Sequence, residues 1–184
     1  MPAITRLGTN AITSVASTAI SGTLPAANIN DTSISNITAL PAGVGGKVLQ
    51  VVSAYTQTQA TSNSSTYADT GLTANITPSS TSNKILVLIQ QSVAKEGGNT
   101  KSELRVYRGA TEIGGTIPAR GVGYTGEGTS NFIGIGLASS ILDTPNSTST
   151  LTYKTQFNNA DNTGTIRVQV DSGASYITLI EIAG

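Results

Sequence analysis

The sequence contains no cysteine and no histidine. Without thiols there is no disulfide framework and no thiolate metal site, and without imidazole there is no Ser/His/Asp triad, no histidine base and no zinc centre of the usual ligands. Tryptophan is absent, and aromatic residues make up only 4% of the chain. Charged residues are 11%, with 10 of each sign, and neither sign forms a block. A phosphate-binding surface and a polybasic membrane patch both require grouped Lys and Arg, so neither nucleic acid nor anionic lipid is an expected partner. No apolar run approaches the roughly 20 residues of a membrane helix, and Met1-Pro2-Ala3-Ile4-Thr5-Arg6 lacks the pattern of a signal peptide. The expectation is a protein made in the cytoplasm, without membrane insertion.

What the chain does have is turn chemistry and short apolar runs. Its 184 residues include 20 Gly and abundant Ser, Thr and Asn, while Leu, Glu, Lys and Arg, which favour helices, are scarce. The run Pro41-Ala42-Gly43-Val44-Gly45-Gly46 marks the one clear boundary. Residues 1–46 form an N-terminal arm or short stalk and residues 47–184 a β head. In the arm, Ile4, Ile12, Ile20, Ile29 and Ile37 recur at a spacing of about eight, too sparse for a core of their own but sufficient if copies lie side by side. A local helix is the competing reading, with Ile12, Val15, Ala16, Ala19 and Ile20 on one face and Gly22 as its stop, and a disordered Ser/Thr-rich arm is a third.

In the head, expected strands cover Lys47–Tyr55, Tyr67–Ile76, Ile85–Ile89, Glu103–Tyr107, Thr111–Ile113, Phe132–Leu137, Leu151–Phe157, Thr165–Val170 and Tyr176–Ile182. Asp69-Thr70-Gly71 reads as a turn or bulge, Thr56–Ser65 as a loop, and Gly114–Gly128 as a glycine-rich loop. In the strand Thr165–Val170, Ile166, Val168 and Val170 should face inward, with Arg167 and Gln169 outward. Eight or nine short strands with no helical period give an all-β fold, an antiparallel jelly roll or β-sandwich. The run Tyr176–Ile182, β-branched and aromatic, is expected in the middle of a sheet.

Two strands are apolar on both faces. Leu86 and Leu88 alternate with Ile85, Val87 and Ile89; Tyr176, Ile180 and Ile182 alternate with Ile177 and Leu179. A two-layer sandwich covers one face of each strand, so a second chain is needed for the other. A homotrimer around a threefold axis satisfies this, and it suits a three-stranded stalk. The interface and core candidates are therefore Ile4, Ile12, Ile20, Ile29, Ile37, Leu86, Leu88, Tyr176, Ile180 and Ile182.

Chemical constellations are few. Asp69, Asp143, Asp161, Asp171, Glu96, Glu103, Glu112 and Glu127 sit singly, mostly in turns, so no glycosidase-like pair is expected and the chain is read as non-enzymatic, with no cofactor. Gly121-Val122-Gly123-Tyr124-Thr125-Gly126 spells the dinucleotide fingerprint, but Pro118-Ala119-Arg120 precedes it where a strand is required. Asp161-Asn162-Thr163-Gly164 and Asp171-Ser172-Gly173 offer oxygen ligands for calcium, and read first as Asx turns. Tyr55, Tyr67, Tyr107, Tyr124 and Tyr153 could stack on sugars, or cover sheet faces.

Several runs carry a resemblance: Lys47–Val52, Asp69–Leu72, Ile76–Val87, Leu142–Pro145, Thr152–Lys154 and Ile177–Ile182. Together they resemble a β domain found in virion proteins of bacteriophages, notably cyanophages and other marine phages, and Gly22–Ile29 is similar to the repetitive stems of tail fibres. The resemblance implies a structural component located on the virion. It would be a short trimeric fibre whose residues 1–46 hold capsid, tail or baseplate proteins and whose loops reach the host surface, where a glycan is the candidate contact. The alternative is a capsid decoration protein bracing the shell at threefold sites.

Overall fold

The computed structural model of the protein describes residues 47–97, 100–117 and 133–184. The arm 1–46, with Ile4, Ile12, Ile20, Ile29 and Ile37, lies outside the described residues, as do most of the glycine-rich loop, Tyr124 and Glu127.

Ten strands are described: β1 Val48–Thr56, β2 Ala60–Ser62, β3 Ala68–Ile76, β4 Lys84–Glu96, β5 Ser102–Arg108, β6 Thr111–Ile117, β7 Ile133–Asp143, β8 Leu151–Asn159, β9 Thr165–Val168 and β10 Ser175–Ile182. All their pairings are antiparallel. The larger sheet runs β1-β10-β4-β9-β2, with β7 on the other side of β4; the smaller runs β3-β8-β5-β6. The result is an all-β sandwich, as expected, with β10 held between β1 and β4. Two segments differ from the sequence reading. Part of the loop Thr56–Ser65 pairs with β9 as β2, and the apolar residues at 133–137 and 141–142 belong to one 11-residue strand, β7.

Alternation builds the core. From the larger sheet, Ile85, Val87, Ile89, Val93, Ile166, Val168, Ile177 and Leu179 point inward; from the smaller come Leu72, Ile76, Leu104, Val106, Tyr153 and Phe157, all buried. The expected irregularity at Asp69-Thr70-Gly71 is a register shift between Asp69 and Thr73 in the β3–β8 pair. Gly71 sits there at φ +84°, where a side chain would be strained. Tyr153, offered above as a sugar-stacking candidate, is instead a core residue with 0% exposure. Its hydroxyl donates to Asp143 Oδ2 at 2.6 Å, and Arg108 Nη1 forks onto both oxygens of the same carboxylate at 2.8 and 2.7 Å. This contact ties β7 of one sheet to β5 and β8 of the other.

The chain end is fastened by a buried carboxylate. Glu181 Oε1 accepts from the Ser79 amide at 2.6 Å and from Asn83 Nδ2 at 2.6 Å, while Oε2 accepts from Gln50 Nε2 at 2.5 Å. Burial alone would raise its pKa, but the donors from Gln50, Asn83 and Ser79 outweigh it and hold the group at about 2.

Candidate functional site: the outer face of the larger sheet

Residues of β1, β10, β4 and β7 that do not enter the core form one continuous outer face. Its register can be read in cross-strand rows. One row is Val51, Ile180, Leu86 and Leu142, four apolar side chains abreast on four neighbouring strands. Val48 and Ile182 extend it on one side; Ser53, Thr178, Leu88 and Ser140 form the next row on the other. Val51 is 58% and Leu142 54% exposed, Leu88 is also exposed, and Leu86, Ile180 and Ile182 are half-buried. Of the head residues expected to be covered on both sides, the structure brings Leu86, Leu88, Ile180 and Ile182 together. Among the described residues their cover is one-sided.

The following row, Tyr55, Tyr176, Gln90 and Ala138, begins a different surface. The rings of Tyr55 and Tyr176 stack at 6.0 Å and 30° and remain exposed, which places Tyr176 at the margin of the apolar rows. Beyond them lies an open groove of about 360 Å³ lined by Gln90, Ser92, Gly134, Gly136, Val170, Asp171 and Ala174. Gly134 and Gly136 leave side chains off this part of β7. A Cβ on either would meet no atom within 4 Å, so among the described residues the space above them is open.

The far wall of the groove is a strained turn. Gln169, Asp171 and Ser172 adopt φ of 55°, 51° and 60°. For non-glycine residues this region costs on the order of 1–2 kcal/mol each. The turn overturns the expected alternation of the preceding strand: the left-handed Gln169 swings inward and is fully buried, and Val170 becomes half-buried on the groove.

A buried polar network grips both ends of that turn. Thr70 Oγ1 accepts from the Leu72 amide and donates to Thr155 Oγ1 at 2.5 Å, which donates to Gln91 Oε1 at 2.9 Å. Gln91 Nε2 donates to Ser175 Oγ at 2.8 Å; with the Gln169 amide assigned the orientation that satisfies its neighbours, its oxygen accepts from Gln91 Nε2 at 2.5 Å and from Ser175 Oγ at 2.8 Å. The Gln169 amide nitrogen donates to the carbonyls of Thr58 and Thr70 at 3.1 and 3.2 Å. Every proton in this chain of donors has an acceptor, so polar groups deep between two sheets carry no desolvation penalty. Gln169 and Ser175 bracket residues 170–174. Gln57 Nε2 holds the Ser172 carbonyl at 2.9 Å, and Gly173 lets the turn close, because a Cβ there would lie 2.9 Å from the Val170 oxygen and 3.0 Å from Ser92 Oγ.

Carboxylates elsewhere are committed. Asp69 pairs with Lys154, Glu96 with Arg167, Glu112 with Arg105, Asp143 with Arg108 and Asp161 with Lys101; Glu103 accepts from Tyr67, and Glu181 is described above. Glu127 lies outside the described residues. Asp171 alone among the described carboxylates makes no ion pair or side-chain hydrogen bond. No group of three or more metal-ligating side chains occurs among the described residues, and no described helix is long and apolar enough to cross a membrane. The sequence reading missed Gln91 and Ser175, placed Gln169 outward where it is fully buried, and met Asp171 as a single turn carboxylate and possible calcium ligand.

No protein family matches the sequence, and no curated protein does. Among solved structures the chain is similar to the insecticidal delta-endotoxin Cry8Ea1 of Bacillus thuringiensis, at 18% identity and a TM-score of 0.34, covering 67% of this chain and 19% of that one. It is also similar to VP2 of infectious bursal disease virus in its subviral particle, at 11% identity and a TM-score of 0.38, covering 73% and 37%. The chain thus spans well under half the length of either. Likenesses at this level assign neither a family nor a role.

Proposed function

We propose that this protein is a structural component of a bacteriophage virion, a trimeric short appendage. Residues 1–46 anchor it to capsid, tail or baseplate proteins, and its sandwich head faces outward. The observation that carries the proposal is the apolar row Val51, Ile180, Leu86 and Leu142 with its neighbours Val48, Leu88 and Ile182. Soluble monomers rarely present contiguous apolar surface of this kind, and covering it with the same face of further copies removes it from water at roughly 25 cal/mol per Å². The resemblance of residues 47–184 to phage virion domains supplies the particle. The chemistry agrees with a role in binding and support, since every described carboxylate but Asp171 has a structural partner and the sequence has neither histidine nor cysteine.

Capsid decoration is the alternative within the same class. Counting copies per purified particle by quantitative mass spectrometry separates the two. A few copies, with intact particles that fail to adsorb when the protein is deleted, is the expected result. Many copies, with deletion lowering resistance to heat, assigns the protein to the shell, and absence from particles removes the proposal.

A further inference from the structure

We propose that the groove between β4, β7 and the turn at 170–174 is a saccharide-binding site, with Tyr55 and Tyr176 as its stacking platform and Asp171, Gln90 and Ser92 as its hydrogen-bonding groups. The inference rests on the reading of the head as the outward-facing part of a virion protein, and it deepens that reading by naming the contact.

Four observations converge. The side chains of Gln90, Ser92 and Asp171 line one groove, and none of them makes a hydrogen bond within the described chain, whereas the polar side chains directly beneath, Gln91, Gln169 and Ser175, are fully satisfied. Unused donors and acceptors are therefore gathered at the surface of a region whose interior leaves none over. Gly134 and Gly136 remove side chains from the groove floor, and among the described residues nothing fills the space above them. The turn that presents Asp171 is strained, yet a buried network at both ends holds it, the arrangement expected where a side chain must be kept in place for a purpose other than stability. The stacked Tyr55 and Tyr176 stand next to Gln90 in the cross-strand row, so an exposed aromatic face adjoins the polar groups.

The chemistry selects the ligand class. An apolar molecule would leave Gln90, Ser92 and Asp171 desolvated and unpaired. An anion would meet the Asp171 carboxylate with no cation among the groove-lining residues. A pyranose offers an apolar C–H face for the tyrosine rings and hydroxyls that donate to Asp171 and exchange hydrogen bonds with Gln90 and Ser92. The site should thus prefer neutral or N-acetylated sugars over uronates.

The test is titration of the full chain with maltopentaose, penta-N-acetylchitopentaose and trigalacturonate, followed by saturation-transfer NMR and calorimetry. At least one neutral oligosaccharide should bind, with signals at tyrosine protons, and more tightly than trigalacturonate. Asp171→Ala should weaken binding about tenfold or more, the loss of hydrogen bonds to a charged group. Gly136→Leu, which fills open space and touches no core residue, should abolish it. Both variants should keep the oligomeric mass of the unaltered protein. Binding of none of the three at about 10 mM, preference for trigalacturonate, or an affinity unchanged in both variants overturns the inference. A chain that binds sugar but does not self-associate removes the assembly reading and leaves this site standing; a trimer that binds none does the reverse.

Discussion

The two sheets of the sandwich have opposite outer faces. On the smaller sheet, Thr73, Lys154, Tyr107 and Glu112 form one row and Asp69, Gln156 and Arg105 another. Lys154 meets Asp69 at 2.9 Å, Arg105 meets Glu112 at 2.9 Å, and the Arg105 guanidinium lies 4.2 Å from the centre of the Tyr67 ring. That face is finished by its own side chains and by water. The equivalent row on the larger sheet holds Val51, Ile180, Leu86 and Leu142, with no charge among them, and Lys84 is the one charge in the next row, beside Ile182 and Val48. Both sheets bury their inner faces in the same core, and among the described residues nothing covers the apolar row on the larger sheet's outer face. That difference between the outer faces is what the proposed self-association would use.

If stability resides in the inner faces, Leu179→Ala, at a fully buried position, should cost about 2–5 kcal/mol in chemical denaturation. A loss below about 1 kcal/mol would show that the larger sheet is not packed as described. Acid gives the next largest effect. Glu181 is held at about 2 in the folded chain against an ordinary value of 4.5. Its contribution, about 3 kcal/mol, is therefore present above pH ~4.5 and lost as pH falls through 2. Unfolding midpoints should drop over that window in the unaltered protein and far less in Glu181→Gln; equal acid sensitivity would remove this role.

Gln91→Leu should cost about 1–3 kcal/mol, because it leaves Ser175, Gln169 and Thr155 without a shared partner between the sheets. The same variant should also loosen the groove turn, read as faster amide exchange at residues 170–174. Unchanged exchange would separate the network from the turn. On the outer face of the smaller sheet, Arg105→Ala should change stability by about 0–1 kcal/mol and leave assembly alone, as exposed ion pairs do.

Much of this was legible in the alternation of residues. Ile85, Val87 and Ile89 against Leu86 and Leu88, and Ile177 and Leu179 against Tyr176, Ile180 and Ile182, display both faces of β4 and β10 in plain sequence. What covers the second face was not legible, since hydrophobicity does not name its partner. The polar network was hidden because Thr and Gln in a Ser/Thr-rich chain look like turn residues. Parity would have found part of it: Thr70 keeps step with Leu72, Gln91 with Ile89 and Val93, and Thr155 with Tyr153 and Phe157. Gln169 could not be found in this way, because a left-handed residue breaks the period that parity relies on. The groove was equally hidden, since it joins β4, β7 and the turn at 170–174 through pairings between residues far apart in sequence.

The most direct test is sedimentation equilibrium of the full chain beside the double variant Leu86→Lys and Ile180→Lys, which gives the larger sheet the charged surface of the smaller. The unaltered protein should sediment as three chains of 18.7 kDa, and the variant as a folded single chain with an unchanged β spectrum. An unaltered protein that runs as a single chain, or a variant that remains trimeric, would contradict the account.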